Sequence, residues 1–277
     1  MAGPPTFDLV VATVDRVDPL GRLLDSLGRQ THRAFRILLV DQNEDDRLDA
    51  VLARHGGLDL VRLRSPRGLS RARNEALPRL EADVVAFPDD DCEYADDLLE
   101  RVAVRLAGLD GLCVRSESRA GRSSQSWASD AGPVTRANVW NRGISYGIFL
   151  RRELVERVGR FDESLGLGAG TPWSSGEEID FLIRAVDAGG RIAYDPSLVV
   201  FHEEKDFDAA SLRAVGRRDG ASVGYLLRRH RYGLGTKSRM LVRPAGGALV
   251  ALARRDRARA GFHAATLRGR LLGLSSR

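Results

Sequence analysis

The feature that most constrains this chain is a regular alternation of short apolar runs with amphipathic segments over its first 115 residues. "FDLVVATV" is apolar enough for a buried strand. In the "DPLGRLLDSLGRQ" that follows, Leu20, Leu23, Leu24 and Leu27 fall at i, i+3, i+4 and i+7, one face of a helix. "FRILLVDQN" repeats the strand signal, "DDRLDAVLARHGG" places Leu48, Val51 and Leu52 on one helical face closed by glycines, and "LDLVRL" is a third strand. "GLSRARNEALPRL" turns Leu69, Ala72, Ala76 and Leu77 inward, and "DVVAF" is a fourth strand. Strands joined through helices pair in parallel, so the expected class is α/β: a mainly parallel central sheet with helices on both faces. With 43% hydrophobic and 29% charged residues among 277, such a core can be filled and the surface kept soluble.

Ligands of sheets of this kind bind beyond the carboxyl ends of the strands. Here those ends carry Thr13 and Asp15, then Asp41 to Asn43, then Asp89, Asp90 and Asp91 of "VVAFPDDDCEY", with Arg64 and Ser65 as a basic element beside them. Three successive carboxylates repel one another, and either a divalent cation or a solvated, helix-capping turn would offset that repulsion.

Beyond the helix "DDLLERVAVRLAGL" and the strand "GLCVRS", residues 116 to 142 are polar and poorly periodic, with Trp127 and Trp140 embedded. "ISYGIFLRRELVERVGRFDESLG" returns to strand and helix. A glycine-rich loop, "LGLGAGTPWSSGEE", then opens directly into the helix "EEIDFLIRAVDAGG", and "RIAYDPSLVVFHEE" reads as two short strands. A boundary near residue 205 separates this body from a basic tail. Residues 228 to 277 hold twelve Arg and one Lys against Asp256, a net +12, which leaves −7 for residues 1 to 227 out of the total of +5.

Cys92 and Cys113 form no CxxC pair, which argues against a disulfide framework or a thiolate zinc site and for a reducing compartment. The amino terminus lacks a basic n-region and reads as a first strand, and no run approaches the roughly 20 apolar residues of a membrane helix.

The ordered pieces "VVATVDR", "LLVDQN", "RGLSRARNEAL", "FPDDDC", "VGRFDESLG", "GEEIDFLIRAVDAGG" and "VVFH" resemble the GT-A fold nucleotide-sugar-dependent glycosyltransferases, in particular the large family 2 of inverting enzymes. The resemblance spans about residues 7 to 204. It implies a catalytic domain over 1–204, with a nucleotide-binding half to about 115 and an acceptor-binding half over 116–204, followed by a basic helical extension over 205–277. It also implies transfer of a sugar from a nucleotide diphosphate donor to a hydroxyl acceptor, with Mn²⁺ or Mg²⁺ as cofactor.

Residue by residue, the resemblance makes Asp91 a direct metal ligand and Asp89 a contact to ribose or to a metal-bound water. His202, closing "SLVVFH", completes the metal shell; from the residues alone a histidine at a strand end is an ordinary hydrogen-bonded group. Asp90 is grouped with the donor contacts. Asp41 matches the residue that reads the nucleobase, and suits uracil or thymine, so UDP or dTDP sugars are favoured. Thr13 and Asp15 line the base or ribose pocket, and Arg71 and Arg73 lie near the phosphates, with Asn74 a structural hydrogen-bonder. The catalytic base is Glu178, where the family usually has Asp, with Glu177 as the second choice; Asp180 serves the helix. Trp173 either stacks on a sugar of the acceptor or donor, or packs under its own loop.

Arg clusters alternate with apolar runs in the tail, which suits a peripheral contact of residues 228–277 with an anionic membrane, as for a lipid-linked or cell-envelope glycan acceptor. The expected setting is the cytoplasm or the inner face of the plasma membrane. Two other readings stand beside this one. A catalytically impaired nucleotide-sugar-binding relative is suggested by Glu at the base position. A nucleic-acid-binding protein could use the tail, but no recognised module accompanies it and no nucleic acid is expected. A sugar nucleotidyltransferase would show a GxGTR-like signature after its first strand, and "VATVDRVDP" is not one.

Overall fold

The computed structural model describes residues 3–123, 125–203 and 206–276. Its contacts divide the chain into two compact units, Met1–Phe161 with Phe181–Glu204, and Asp162–Asp180 with Lys205–Arg277.

In the first unit the alternation read from the sequence appears as β1 (Phe7–Thr13), α1 (Val17–Gly28), β2 (Phe35–Asp41), α2 (Asp49–Arg54), β3 (Leu60–Arg64), α3 (Leu69–Ala76) and β4 (Val84–Ala86). Then come β5 (Cys92–Tyr94), α4 (Leu98–Arg105), β6 (Gly111–Glu117), β7 (Gly132–Pro133), β8 (Ile148–Arg151), α5 (Arg152–Val158) and β9 (Ile192–His202). Between them α6 (Glu177–Asp187) starts in the second unit and ends in the first.

Leu20, Leu23, Leu24 and Leu27 of α1 are all fully buried with Phe7, Leu9 and Val11 of β1 and Ile37 and Leu39 of β2, the alternate positions of each strand. Each such side chain contributes roughly 1.5–3 kcal/mol, so helical and strand periodicities meeting on one core set the register of this half.

The strand order is β3-β2-β1-β4-β8-β6-β9-β5, with β7 against β9. β3, β2, β1 and β4 pair in parallel, as do β6 and β9. β8 runs antiparallel to both β4 and β6, and β5 and β7 antiparallel to β9. The two short strands expected over 192–202 form a single ladder with a register shift, from Val114↔Asp195 to Arg115↔Val199. Pro196 lies in the skipped stretch, where a residue without an N–H cannot continue the ladder.

Asp8, at the amino end of β1, is fully buried. It accepts hydrogen bonds from Arg36 at 2.9 and 3.2 Å and from the backbone N–H groups of Glu81 and Ala82 at 2.7 and 3.0 Å. At the opposite strand end from Thr13 and Asp41, this is a structural ion pair, one that would be costly to break from either side.

The second unit contains α7 (Ala209–Arg229), α8 (Leu234–Ala253) and α9 (Arg257–Ser275), with Asp208 and Asp256 capping α7 and α9 through the backbone N–H groups of Ser211 and Arg259. Gly216, Gly220 and Gly224 recur every four residues on one face of α7, as do Gly269 and Gly273 on α9. A Cβ on Gly220 would press on the Thr266 carbonyl, and one on Gly224 on that of Arg270, so the two helices run parallel with backbones in contact. α8 returns antiparallel to α9, with Gly247 against His263 and the Arg270 guanidinium donating to the Met240 carbonyl. Among the described residues no helix is long and apolar enough to cross a membrane.

Candidate functional site

The carboxyl ends of β1 and β2 and the loop after β4 meet in the first unit. β4 ends at Ala86 and Pro88 follows, so the chain leaves the ladder, yet Asp89 returns to bridge Ala12 at the end of β1. β5 then pairs antiparallel with β9 in a register that sets Cys92 opposite His202. That register brings His202 beside Asp91 across 111 positions of sequence, with Nε2 3.1 Å from the Asp91 carboxylate. Asp89, Asp91 and His202 each offer one ligand atom, all within 4.8 Å of one another, at half-buried positions. Two carboxylate oxygens and one imidazole nitrogen suit Mn²⁺ or Mg²⁺ better than zinc.

The charge of the triplet is partly offset by two arginines. Arg16 Nη1 lies 2.8 Å from Asp90 and 2.6 Å from Asp91. Burial works against the Arg16 charge, but Asp90 and Asp91 outweigh it and keep the guanidinium above its ordinary range. Asp90 is itself buried; desolvation raises its carboxyl above the ordinary range, against the Thr13 hydroxyl and Arg16. Arg73 is 1% exposed, donates to Asp89 at 3.2 Å and sits against the rings of Phe87 and Phe161. Ser145 Oγ donates to the same Asp89 oxygen at 3.2 Å. Tyr146 stacks on the His202 imidazole, centroids 4.8 Å apart and planes 4° from parallel, and its phenol is fixed by the Ser116 hydroxyl at 3.0 Å.

Next to this cluster Asp41 is fully buried at the end of β2. One of its oxygens accepts from the backbone N–H and side-chain amide of Asn43 at 2.8 and 2.7 Å, and the other from Arg62 at 2.9 and 2.6 Å, with Arg64 at 3.1 Å. Burial would raise its carboxyl, but these donors, the Asn43 N–H first, hold it below the usual carboxylate range. Asp15 adopts φ 59°, donates its N–H to Asn43 Oδ1 at 2.8 Å, and pairs with Arg47 and Arg67 at 2.7 Å each. Thr13 is buried where β1 ends, and Arg71 is on the exposed side of α3. Asn74 bonds the Phe161 backbone in both directions, at 3.0 and 2.8 Å, which makes it a structural residue.

The first unit therefore gathers Thr13, Asp15, Asp41, Arg73, Asp89, Asp90, Asp91 and His202. Sequence reasoning missed Arg16, Ser145 and Tyr146. Arg16 has a signal, being a basic residue directly behind the first strand in a chain whose acids need compensation; Ser145 and Tyr146 have none, since the run "ISYGIFL" that holds them reads only as the return to strand, whereas the chain makes a tight turn over Ser145–Gly147 before β8.

Glu177, Glu178 and Trp173 belong to the second unit. Gly176, at φ 80° and with Leu226 and Ser222 within 3.2 and 3.5 Å of where a Cβ would stand, turns the chain into α6. Glu177 is 5% exposed and Glu178 half-exposed in the first turn, where the helix dipole favours negative charge. Asp180 is fully buried, 2.8 Å from His230 Nε2 and 3.4 Å from Arg229 Nε, and so ties the helix start to the end of α7. One face of Trp173 stacks on Tyr225, centroids 4.8 Å apart. Cys92 and Cys113 are buried free thiols, desolvation raising both, Cys113 to about 12.

Solved structures share this fold. A mannosyltransferase from Pyrobaculum calidifontis, described in complex with GDP-Man and Mn²⁺, superposes with a TM-score of 0.65 at 17% identity, over 99% of this chain and 88% of that one. S. aureus TarS 1-349 in complex with UDP-GlcNAc gives 0.62 at 18%, over 95% and 90%. The sequence profile described as Glycosyl transferase family 2 matches residues 8–154, more than half of the chain. The chain belongs to glycosyl transferase family 2. Among curated proteins it is 26% identical to the pre-mycofactocin glycosyltransferase of Mycobacterium tuberculosis over 74% of its length, spanning 44% of that relative. It is 29% identical to the succinoglycan biosynthesis protein ExoM of Rhizobium meliloti, over 97% of this chain and 93% of that one.

Proposed function

We propose that this protein is an inverting, metal-dependent glycosyltransferase that moves a sugar from a nucleotide diphosphate donor, UDP or dTDP in preference, to a hydroxyl of a lipid-linked or cell-envelope glycan. The observation that carries the reading is the Asp89–Asp91–His202 cluster at the carboxyl edge of a parallel sheet. The relatives support it: one is named for a polysaccharide, and two solved neighbours hold nucleotide sugars.

Asp91 and His202 would hold Mn²⁺ or Mg²⁺ directly, with Asp89 on ribose or a metal-bound water; bound there, the ion would neutralise the departing diphosphate. Arg73 acts through Asp89, whose orientation it fixes. Asp41 reads a pyrimidine by giving up one of its bonds to Asn43 or Arg62, and Thr13 and Asp15 flank the base and ribose. Arg71 serves the phosphates, and Trp173 stacks on a sugar with the face opposite Tyr225. Glu178, the less buried of the two, accepts the acceptor hydroxyl proton in preference to Glu177.

Glu178→Gln is expected to lower transfer from a UDP sugar by about a hundredfold or more at an unchanged donor KM, since general-base catalysis contributes roughly 10²–10⁴. Steady-state kinetics with wild type and Glu177→Gln alongside checks it. Equal, metal-independent turnover in wild type and Glu178→Gln would sink the assignment.

Residues 228–277 are proposed to rest on an anionic bilayer. α8 exposes Leu234, Val242, Leu249, Val250 and Leu252, at 53–82%, with Arg239 and Arg243 beside them. Val242→Glu combined with Leu249→Glu should at least halve the fraction that sediments with phosphatidylglycerol vesicles. Unchanged sedimentation would remove α8 from the contact.

A further inference from the structure

A cavity of about 650 Å³ in the second unit is lined by Arg213, Ala214 and Arg217 of α7 and by Ala265, Arg268 and Leu272 of α9. Two features of the helix pair build it. Arg213 and Arg217 stand one turn apart on the same face of α7. Gly269 meets the Arg217 carbonyl, so the parallel register sets Arg268 beside Arg217. On the other side Gly261 leaves room for the Arg213 stem, whose Cδ and Cγ pass 3.1 and 3.3 Å from where a Cβ would stand. Among the described residues none of the three guanidiniums has a hydrogen-bonded or ion-paired partner. Asp208 acts on Arg213 only at longer range, and Asp219 is taken by Arg218 at 2.8 Å.

Arg213, Arg217 and Arg268 are exposed residues that line one hollow together, and a doubly charged anion is the ligand that three guanidiniums in one lining suit best. The planar forks of Arg match phosphate oxygens, two donors to a group. A volume in the range of small-molecule sites exceeds what one phosphate fills, and Ala214, Ala265 and Leu272 make the remaining lining apolar. We propose that this cavity binds a phosphate-bearing amphiphile, its phosphate or diphosphate held by Arg213, Arg217 and Arg268 and its apolar part laid against Ala214, Ala265 and Leu272. The site is anion-seeking, whereas the acidic cluster of the first unit seeks cations, and it stands whether or not the transfer reading holds.

The test uses the full chain in chelator, with two probes: inorganic pyrophosphate by calorimetry, and phosphatidylglycerol vesicles by sedimentation against pure phosphatidylcholine ones. The triple variant Arg213→Gln, Arg217→Gln, Arg268→Gln keeps the aliphatic stems. A charge-matched control carries Arg22→Gln, Arg54→Gln and Arg79→Gln, all exposed in the first unit. The triple variant is expected to bind at least one probe tenfold or more weakly, with unchanged circular dichroism and thermal midpoint, while the control binds like wild type. Loss confined to pyrophosphate identifies a soluble phosphate compound as the natural source, and loss confined to vesicles that also appears on top of Val242→Glu with Leu249→Glu identifies a lipid headgroup in the cavity; vesicle loss that vanishes on that background belongs to the α8 contact and counts against the cavity. Should the triple variant misfold, Arg268→Gln alone is to show at least a threefold loss. Wild type that binds neither probe, a variant that binds both as wild type does, or an equal loss in the control overturns the proposal.

Discussion

Asp91→Asn is expected to abolish the stabilisation of this protein by Mn²⁺ and to lower metal-supported transfer by about two to three orders of magnitude. An amide at that position keeps the shape but removes the charge, and a neutral oxygen is a weak ligand for a hard cation. Preorganised charge aimed at a leaving group is worth roughly 10²–10³ when one element is removed. The fold should survive, because Arg16 retains Asp90 at 2.8 Å and three adjacent carboxylates become two. The two readouts therefore separate. Without metal, the variant should melt at or slightly above the wild-type temperature. With Mn²⁺ at about 100 times its Kd, wild type should gain about 2.7 kcal/mol and the variant close to none. For a protein of this size that is a shift of roughly 5–10 °C. Differential scanning fluorimetry with and without Mn²⁺, and with UDP added, checks it. An undiminished Mn²⁺ shift in the variant would move the metal away from Asp91.

What a sequence shows of a fold depends on the range of each physical cause. β1 to β4 are legible because their signals are local: four leucines on one face of α1 fix which side of the helix is buried, and the short apolar run of β1 marks a strand buried on both faces. The partnership of Asp91 with His202 is not local. It follows from a strand register, Cys92 against His202, that no spacing reveals, and it was reachable only because the order of motifs resembled a family. Arg16 carries a sequence signal as a basic residue directly behind β1, but its choice over Arg47 or Arg67 as the cation that answers the carboxylate triplet depends on the path of a loop in which Asp15 takes a left-handed conformation. The grouping of residues 162–180 with the tail rests on Trp173 stacked on Tyr225 and on Ser175 donating to Asp219 at 3.0 Å, contacts more than 40 positions apart. In the sequence the tail stands out by its charge. Its glycines, four residues apart on α7, lay in plain view and carry the stronger constraint.

That constraint predicts a reversal of sign between chemically identical substitutions. Gly→Ala in the middle of an exposed helix should stabilise by about 0.5–1 kcal/mol, since glycine has the larger backbone entropy to lose. Gly246, inside α8 with nothing within 4 Å of its missing Cβ, is expected to follow that rule. At Gly220 and Gly224 the same methyl would come under 3.0 Å from the backbone of α9, at the Thr266 and Arg270 carbonyls. A side chain could rotate away from such a contact; a helix backbone cannot, so α7 and α9 must separate along their shared length. Small residues spaced by four are what let two backbones approach this closely. Overpacking of this kind costs typically 1–3 kcal/mol, and the lack of a rotamer escape puts Gly224→Ala at or above the top of that range, well beyond the propensity gain. Opening the pair would also expose the contact between Gly273 and the Ala221 carbonyl, so Gly220→Ala and Gly224→Ala together should add less than their sum. Thermal melts of the three single variants and the double one, with limited proteolysis of the tail as a second readout, test this. A Gly224→Ala protein as stable as Gly246→Ala would mean that α7 and α9 do not meet along their glycines, and the arginine cavity built on that register would fall with it.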